Sequence, residues 1–472
     1  MGIQKSVSKV LFSNVWTSVA GLLSLTFFAR ELGAGQLGSF FLFLSVARFS
    51  RIPVNFGIGG ALTKRVSEGD SPGSYLTTAL LLVCGSLTVF SLLLLVLRHQ
   101  VNSYLGAQLT GLLIVLIIVQ EGAALGRNVL SGELRVGETG TLKILRNTMY
   151  VGSGVFFVLY GFGARGLIFA TILAEASIAA LAAYRVSIPL EHPSLYHVKS
   201  LIDYGKWGPI SHLDTELYNW ADIAILGVFM TNEFVGAYEI AWRVSSVLTL
   251  LARAVQSTIV PHTSSMDADG REDEIRKLVP YGITASLFLV VPGVFGIYIL
   301  GESFLRIMFS SEFVVAYPAL LVLSAGKIIE SVDGVLQGIV AGIDRPDVRG
   351  GAVLVSALSN VTLNFILIPW VGLVGAALAT TISFFSSTVI VGIFAYRKIQ
   401  FKLQIRRIGW CGVSSVLMTG LLFAINSLVH IDSLLSVALI VVLGALSYFS
   451  LSFLYRPLRE DILNIYNKVT HH

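Results

Sequence analysis

The sequence predicts an all-α polytopic membrane protein with fourteen transmembrane helices, set as two six-helix lobes in a parallel pseudo-two-fold arrangement plus a C-terminal helix pair. Three observations carry that expectation. The composition is 54% apolar and only 13% charged, with a mean hydropathy of +0.78 over 472 residues, which is the balance of a chain dissolved in lipid. Apolar runs of spanning length recur from end to end, separated by short polar punctuation. Two loop-and-helix patterns also return about 210 residues after their first appearance. The 45 glycines suit helices whose backbones approach closely, since small residues replace the hydrophobic drive that lipid removes. A membrane barrel would instead show alternating runs of about ten residues, a pattern missing from this sequence.

Taken in order, the apolar runs place helices near residues 9–29, 37–60, 75–97, 105–126, 143–161, 165–184, 206–229, 234–260, 280–300, 314–341, 348–368, 372–396, 407–428 and 432–455. MGIQKSVSKV leads into the first run without a cleavage site, so the first helix is expected to stay in the chain. The seventh run carries Asp214, Glu216 and Asp222, and the tenth carries Lys327, Glu330 and Asp333, so these two are the least apolar. With the N-terminus cytoplasmic, 24 Lys and Arg residues fall on the cytoplasmic side, four (Arg30, Arg98, Arg165, Arg306) fall outside, and five lie within helices. That asymmetry predicts a multi-pass protein of the cell membrane with both termini in the cytoplasm.

The repeat sets GELRVGETG from Gly132 against GIDRPDVRG from Gly342, and GARGLIFAT from Gly163 against GLVGAALAT from Gly372. A weaker pair sets Leu32 and Gly38 against Leu226 and Gly236. These matches predict an N-lobe over residues 1–190, a C-lobe over 200–400, and an added pair with a short tail over 401–472. An even helix number makes the lobes parallel, and their interface is the expected cavity.

Charge and cysteine usage exclude other classes. The net charge of +5 is scattered in short groups between apolar runs, so no nucleic-acid partner is expected. Cys84 and Cys411 lie in different runs and give neither a disulfide framework nor a metal site. The histidines show no ligand spacing, and GxxxxGK[ST] is absent, so no metal, cofactor or nucleotide is expected. Any coupling would draw on Na⁺, H⁺, the membrane potential or the substrate's own gradient.

The residues that stand out are arginines inside apolar runs. Each guanidinium at mid-bilayer depth costs roughly 2.5 to 3.5 kcal/mol, so retained ones face a wet, protein-lined space or snorkel to the headgroups. Arg48 and Arg51 share a face of the second helix, and Arg243 and Arg253 lie nearly three turns apart on the eighth. An anionic headgroup such as a lipid diphosphate suits paired guanidinium donors. Glu239, four residues before Arg243, is the competing internal partner. Pro53 and Gly57 mark either a hinge or a static kink in the second helix. Glu121, Asp222 and Glu239 are the acids singled out for coupling or for neutralising the arginines, and Lys327, Glu330 and Asp333 read equally as an ion-pair ladder.

GAGQLGSFFLF, RIPVNFGIGGALTKRVSE, QGIVAGIDRPDV and NVTLNFILIPWVGLVGAALATTIS resemble the polysaccharide biosynthesis, or oligosaccharide flippase, branch of the multidrug/oligosaccharidyl-lipid/polysaccharide exporter superfamily. The resemblance spans the chain and is strongest from Leu363 to Thr380. It implies two lobes in a V, a central cavity, alternating access, and movement of polyprenyl- or dolichyl-linked sugars from the cytoplasmic to the outer leaflet. It further implies that Arg48, Arg51, Arg243 and Arg253 line the cavity, that helices thirteen and fourteen hold the lipid tail, and that glycosyltransferases or a polymerase or ligase of the same pathway are partners. The first helix has no acid, and helices one and seven have no mid-span arginine, which departs from drug exporters and from peptidoglycan-precursor flippases respectively. The rivals are a cation-coupled exporter of small organic molecules and a membrane scaffold for glycan synthesis.

Overall fold

The computed structural model describes residues 2–206, 220–428 and 433–457, and all regular structure among them is helical. Asp214, Glu216 and His212 of the seventh expected helix, with His471 and His472, lie outside the described residues. Contacts divide the chain into two compact units, Met1–Gly236 and Ala237–His472.

The first unit begins with α1 (Gly2–Asn55), in which the first two expected helices run into one another across a kink at Gly33. Chain continuity there replaces the loop expected near residues 30–36. Pro53 lies in its last turn, and the helix then breaks at Phe56 (φ 43°) and Gly57 (φ 77°) before α2 (Ile58–Glu68). A left-handed residue costs glycine nothing, which explains Gly57. Next come α3 (Pro72–Val96), the short α4 (Arg98–Leu105), α5 (Thr110–Gly132), α6 (Val136–Leu159), α7 (Gly163–Arg185), α8 (Leu195–Gly205) and α9 (Trp220–Phe229). Two apolar clusters hold the unit: Leu62, Ala79, Val83 and Val129 join α2, α3 and α5, while Ala123, Leu142 and Ile178 join α5, α6 and α7.

The second unit contains most of α10 (Asn232–Val247), then α11 (Leu250–Ala268), α12 (Glu272–Met308), a 3-10 turn (Ser311–Ala316), α13 (Tyr317–Gly342), α14 (Pro346–Val371), α15 (Leu373–Ile399), α16 (Ile405–Leu428) and α17 (Leu434–Phe453). Val279, Ile283, Val335, Ile339 and Val391 form its main core. The last two helices pack on α12 through Leu300, Met418, Leu422 and Ile440, and the Tyr448 hydroxyl donates to the Phe288 carbonyl at 2.7 Å. Large apolar side chains such as Val96, Trp370 and Leu435 remain exposed, as surfaces solvated by acyl chains require.

Ten described helices are long and apolar enough to cross a membrane, or eleven if the bent pair Asn232–Val247 and Ala252–Ala268 forms one span. The protein is therefore a multi-pass, all-α membrane protein. α6 is not among the ten, because Glu138, Lys143 and Arg146 interrupt its first half.

The matched stretches share local geometry. Leu134 (φ 60°) and Asp344 (φ 55°) turn the chain left-handed at equivalent places, and Arg135 N and Arg345 N donate back to Leu130 O and Val340 O at 2.9 and 3.1 Å. Gly163 and Gly372 take positive φ at the starts of α7 and α15. Three residues on, a Cβ on Gly166 would press the Phe157 Cβ at 2.9 Å, and one on Gly375 would press the Leu367 carbonyl oxygen at 2.3 Å. The sequence pattern thus marks the same local need twice: a tight entry, then a helix packed against the one before it.

Candidate functional site

In the first unit, α1, α5, α6 and α7 bring four guanidiniums onto two buried carboxylates. Arg51 Nε donates to Glu121 Oε1 at 2.6 Å, and Asn55 Nδ2 donates to the other oxygen at 2.7 Å. Asn55 Oδ1 in turn accepts the Gly59 backbone N–H at 3.1 Å, so the break at Phe56–Gly57 is pinned to the same carboxylate. Glu175 on α7 is shared: Arg146 Nε donates to Oε1 at 2.7 Å, and an Arg127 Nη lies 3.6 Å from Oε2. Glu121 is fully buried and Glu175 nearly so, whereas the Arg51, Arg127 and Arg146 side chains are 23%, 32% and 36% exposed. Arg51, Arg146 and Glu121 all act electrostatically on Arg127, and Arg48 acts on Glu175, which makes one cluster of the six. Arg48 also lies over the Trp220 ring, 5.9 Å from its centroid.

Among the described residues this cluster gathers four arginines and two acids. Half of these arginines are residues that the Lys and Arg tally places on the cytoplasmic side: Arg127, one residue past the run at 105–126, and Arg146, inside the run at 143–161. α5 continues to Gly132 and α6 starts at Val136, so both arginines sit on helices facing Glu175. The sequence signal that could have found them is Glu175, an acid inside an apolar run, which needs cations when buried.

The second unit treats its charges differently. Arg243 pairs with Glu239 one turn away at 2.7 Å, as the spacing allowed. Lys327, buried, donates to Glu330 at 2.6 Å and sits 3.9 Å from the Trp242 ring centroid, while Arg253 reaches the same Glu330 at 4.0 Å. The ladder of Lys327, Glu330 and Asp333 stops at its first rung, because Asp333 accepts instead from Ser387 and Gln337, both at 2.8 Å. Arg253, Gln256, Glu330, Asp333, Gln337 and Arg349 wall a cavity of about 460 Å³. Arg349, tallied on the cytoplasmic side though inside the run at 348–368, belongs to α14, with Nε 3.3 Å from Gln337 Oε1.

Asp222 is buried on α9, a helix held in the first unit by the Tyr104 hydroxyl, which donates to the Ala224 carbonyl at 2.5 Å. No group of three or more His, Cys, Asp or Glu side chains among the described residues is arranged to hold a metal.

Comparison with known proteins places this architecture. A family model described as "Polysaccharide biosynthesis protein" matches residues 27–318. The chain is 38% identical over 460 residues to the probable low-salt glycan biosynthesis flippase Agl15 of Haloferax volcanii, covering 98% of both chains. It is 28% identical over 462 residues to the probable flippase AglR of the same organism, covering 96% of each. Among solved structures, the lipid II flippase MurJ in an inward closed conformation superposes with a TM-score of 0.82 over 95% of this chain and 99% of that one, at 15% identity, a likeness of fold. The chain belongs to the polysaccharide biosynthesis (flippase) family, a family of membrane transporters rather than of enzymes.

Proposed function

We propose that this chain moves a lipid-linked oligosaccharide, carried on a polyprenyl or dolichyl phosphate or diphosphate, from the cytoplasmic to the outer leaflet by alternating access. The observation that carries the reading is the gathering of Arg48, Arg51, Arg127 and Arg146 around Glu121 and Glu175, with both acids buried and the guanidiniums of Arg51, Arg127 and Arg146 partly exposed. A headgroup phosphate is strongly anionic and accepts paired N–H donors such as the exposed edges of these guanidiniums. The named function of the 38% identical relative supports a glycan cargo.

In this reading Arg48 and Arg51, joined by Arg127 and Arg146, bind the phosphate, and Arg243 and Arg253 contribute from the second unit. The helices are organised as lobes over residues 1–190 and 200–400, with the pair over 401–472 serving the lipid tail, fourteen spans in all. Both termini are cytoplasmic, in keeping with the Lys and Arg asymmetry. The break at Phe56–Gly57, with Pro53 one turn before it, supplies compliance. Glu121, Asp222 and Glu239 are the acids through which Na⁺, H⁺ or the membrane potential would act. Glycosyltransferases, a polymerase or a ligase of the same glycan pathway would supply and consume the cargo.

The test is a leaflet-resolved assay with a fluorescent polyprenyl diphosphate disaccharide in proteoliposomes. Protein-dependent movement that falls at least tenfold in Arg51→Ala and Arg127→Ala supports the reading. Equal movement with and without protein overturns it. Export of small cationic molecules that depends on Asp222 or Glu121 would favour a cation-coupled exporter instead.

A further inference from the structure

The cavity of the second unit has a lining that phosphate recognition does not explain. Its polar wall combines donors and acceptors: guanidiniums from Arg253 and Arg349, carboxylates from Glu330 and Asp333, and amides from Gln256 and Gln337. Phe384 of α15 adds an aromatic surface, and Gly334 and Gly338 of α13 let the side chains of α11 approach closely. At Gly334 the Gln256 amide occupies the space a side chain would take, 2.0 Å from where a Cβ would sit, so the two helices hold that amide at the cavity wall.

Asp333 is the most telling member. It is buried, and among the described residues no cation lies within ion-pair distance of it; neutral donors, Ser387 and Gln337, hold it. Glu330, by contrast, is already committed to Lys327 and Arg253.

Three ligand classes fit poorly. A free anion would meet two carboxylates, and an apolar molecule would strip water from seven polar side chains. A metal ion would need a cluster of ligands that the described residues do not form. A sugar ring fits each feature. Every hydroxyl both donates and accepts, so neighbouring hydroxyls are matched by a mixture of planar carboxylates, amides and guanidiniums, while the C–H face of the ring lies on an aromatic. The volume of about 460 Å³ falls within the roughly 300 to 1,000 Å³ of small-molecule sites.

We infer that this cavity is a glycan subsite that takes one or two hydroxyl-rich hexose units of the cargo. The inference rests on the flippase reading and adds a division of labour to it: the first unit recognises phosphate, the second recognises sugar. Selectivity for the glycan then comes from Asp333, Gln337 and Gln256, not from the arginines alone.

The experiment has two arms on the full-length chain. In detergent, saturation-transfer NMR with maltose and with lactose as soluble probes should show contact that drops about tenfold or more in Asp333→Asn and in Gln337→Ala, the loss expected for hydrogen bonds to a charged group. Gln256→Ala, which removes an amide lying over bare backbone, is the second variant should either of those fail to fold. In proteoliposomes, the ratio of transport of the disaccharide-bearing lipid to that of the sugar-free polyprenyl diphosphate should fall by a similar factor. No disaccharide contact, contact unchanged in all three variants, or equal loss for both lipids overturns the subsite. Disaccharide contact that depends on these residues, in a protein that moves neither lipid, upholds the subsite and overturns the flippase reading.

Discussion

The two units use the same kinds of charged residue in opposite ways. In the first, partners come from distant helices: Arg51 meets Glu121 across 70 residues, and Arg146 meets Glu175 across 29. In the second, Arg243 with Glu239 and Lys327 with Glu330 are neighbours on a single helix turn. Local pairs neutralise charge wherever the helix goes. Pairs between helices depend on tertiary structure, and here they gather four arginines in one place. A site assembled from several helices can therefore hold fixed charge for a ligand, while a ladder on one helix mostly settles its own account.

That contrast can be broken at its acids first. Glu175→Gln leaves Arg127 and Arg146 with a neutral partner and should destabilise the protein by about 2 to 3 kcal/mol, below the 3 to 5 typical of a broken buried pair because both guanidiniums are a third exposed. Glu239→Gln, which removes a one-turn pair with a more exposed arginine, should cost under about 1 kcal/mol. Thermal unfolding of the purified protein in detergent measures both; equal shifts would erase the distinction.

Backbone contacts sharpen it next. A Cβ on Gly38 would stand 1.7 Å from the Asn232 carbonyl oxygen, whereas one on Gly334 would meet the end of the Gln256 side chain. Gly38→Ala should cost about 1 to 3 kcal/mol, as overpacking against immovable backbone does, and Gly334→Ala should cost less because a side chain can swing aside. The same unfolding measurement ranks them.

Transport offers a third comparison. Arg51→Ala should slow movement of a polyprenyl diphosphate disaccharide about tenfold, and Arg243→Ala about threefold, since the second arginine has its own acid one turn away. Initial rates in proteoliposomes decide between this order and its reverse.

The smallest effect lies at the turn between α5 and α6, outside the expected spans. The hydrogen bond from Arg135, then that from Arg185, holds the Glu138 carboxyl below the usual carboxylate range. A lowered folded value means the stabilisation is complete above the ordinary glutamate value of about 4.3 and is lost as pH falls through the lower folded one. Unfolding curves of Arg135→Ala should therefore lie slightly below those of the parent at neutral pH and converge with them in acid; surface pairs of this kind contribute roughly 0 to 1 kcal/mol.

Much of this was legible in the residues. Composition and apolar runs announce an all-α membrane protein, and GELRVGETG with GIDRPDVRG, or GARGLIFAT with GLVGAALAT, repeat because the same turn and the same close approach recur. Arg51 and Arg243 stand out because nothing apolar hides them, and the one-turn spacing of Glu239 and Arg243 predicts their bond. Arg127, Arg146 and Arg349 escape notice because each lies within a turn of a run's end, where a charge reads as a marker of the membrane edge, while the helices continue past it. Asp333 was read with Lys327 by spacing, yet its partners are Ser387 on a distant helix and Gln337 one turn on. Helical spacing reports neighbours along one helix; it carries no information about which other helix will arrive.

The shared Glu175 has a consequence for how the chain is made. α6 enters the membrane machinery carrying Lys143 and Arg146, and its carboxylate partner is 29 residues away on α7, which has not yet been synthesised. Partitioning of α6 alone is opposed by its cations, so α5, α6 and α7 must settle as one insertion unit, with the last to emerge releasing the other two. A single buried carboxylate would then set the order of events at the ribosome exit, long before any cargo is carried.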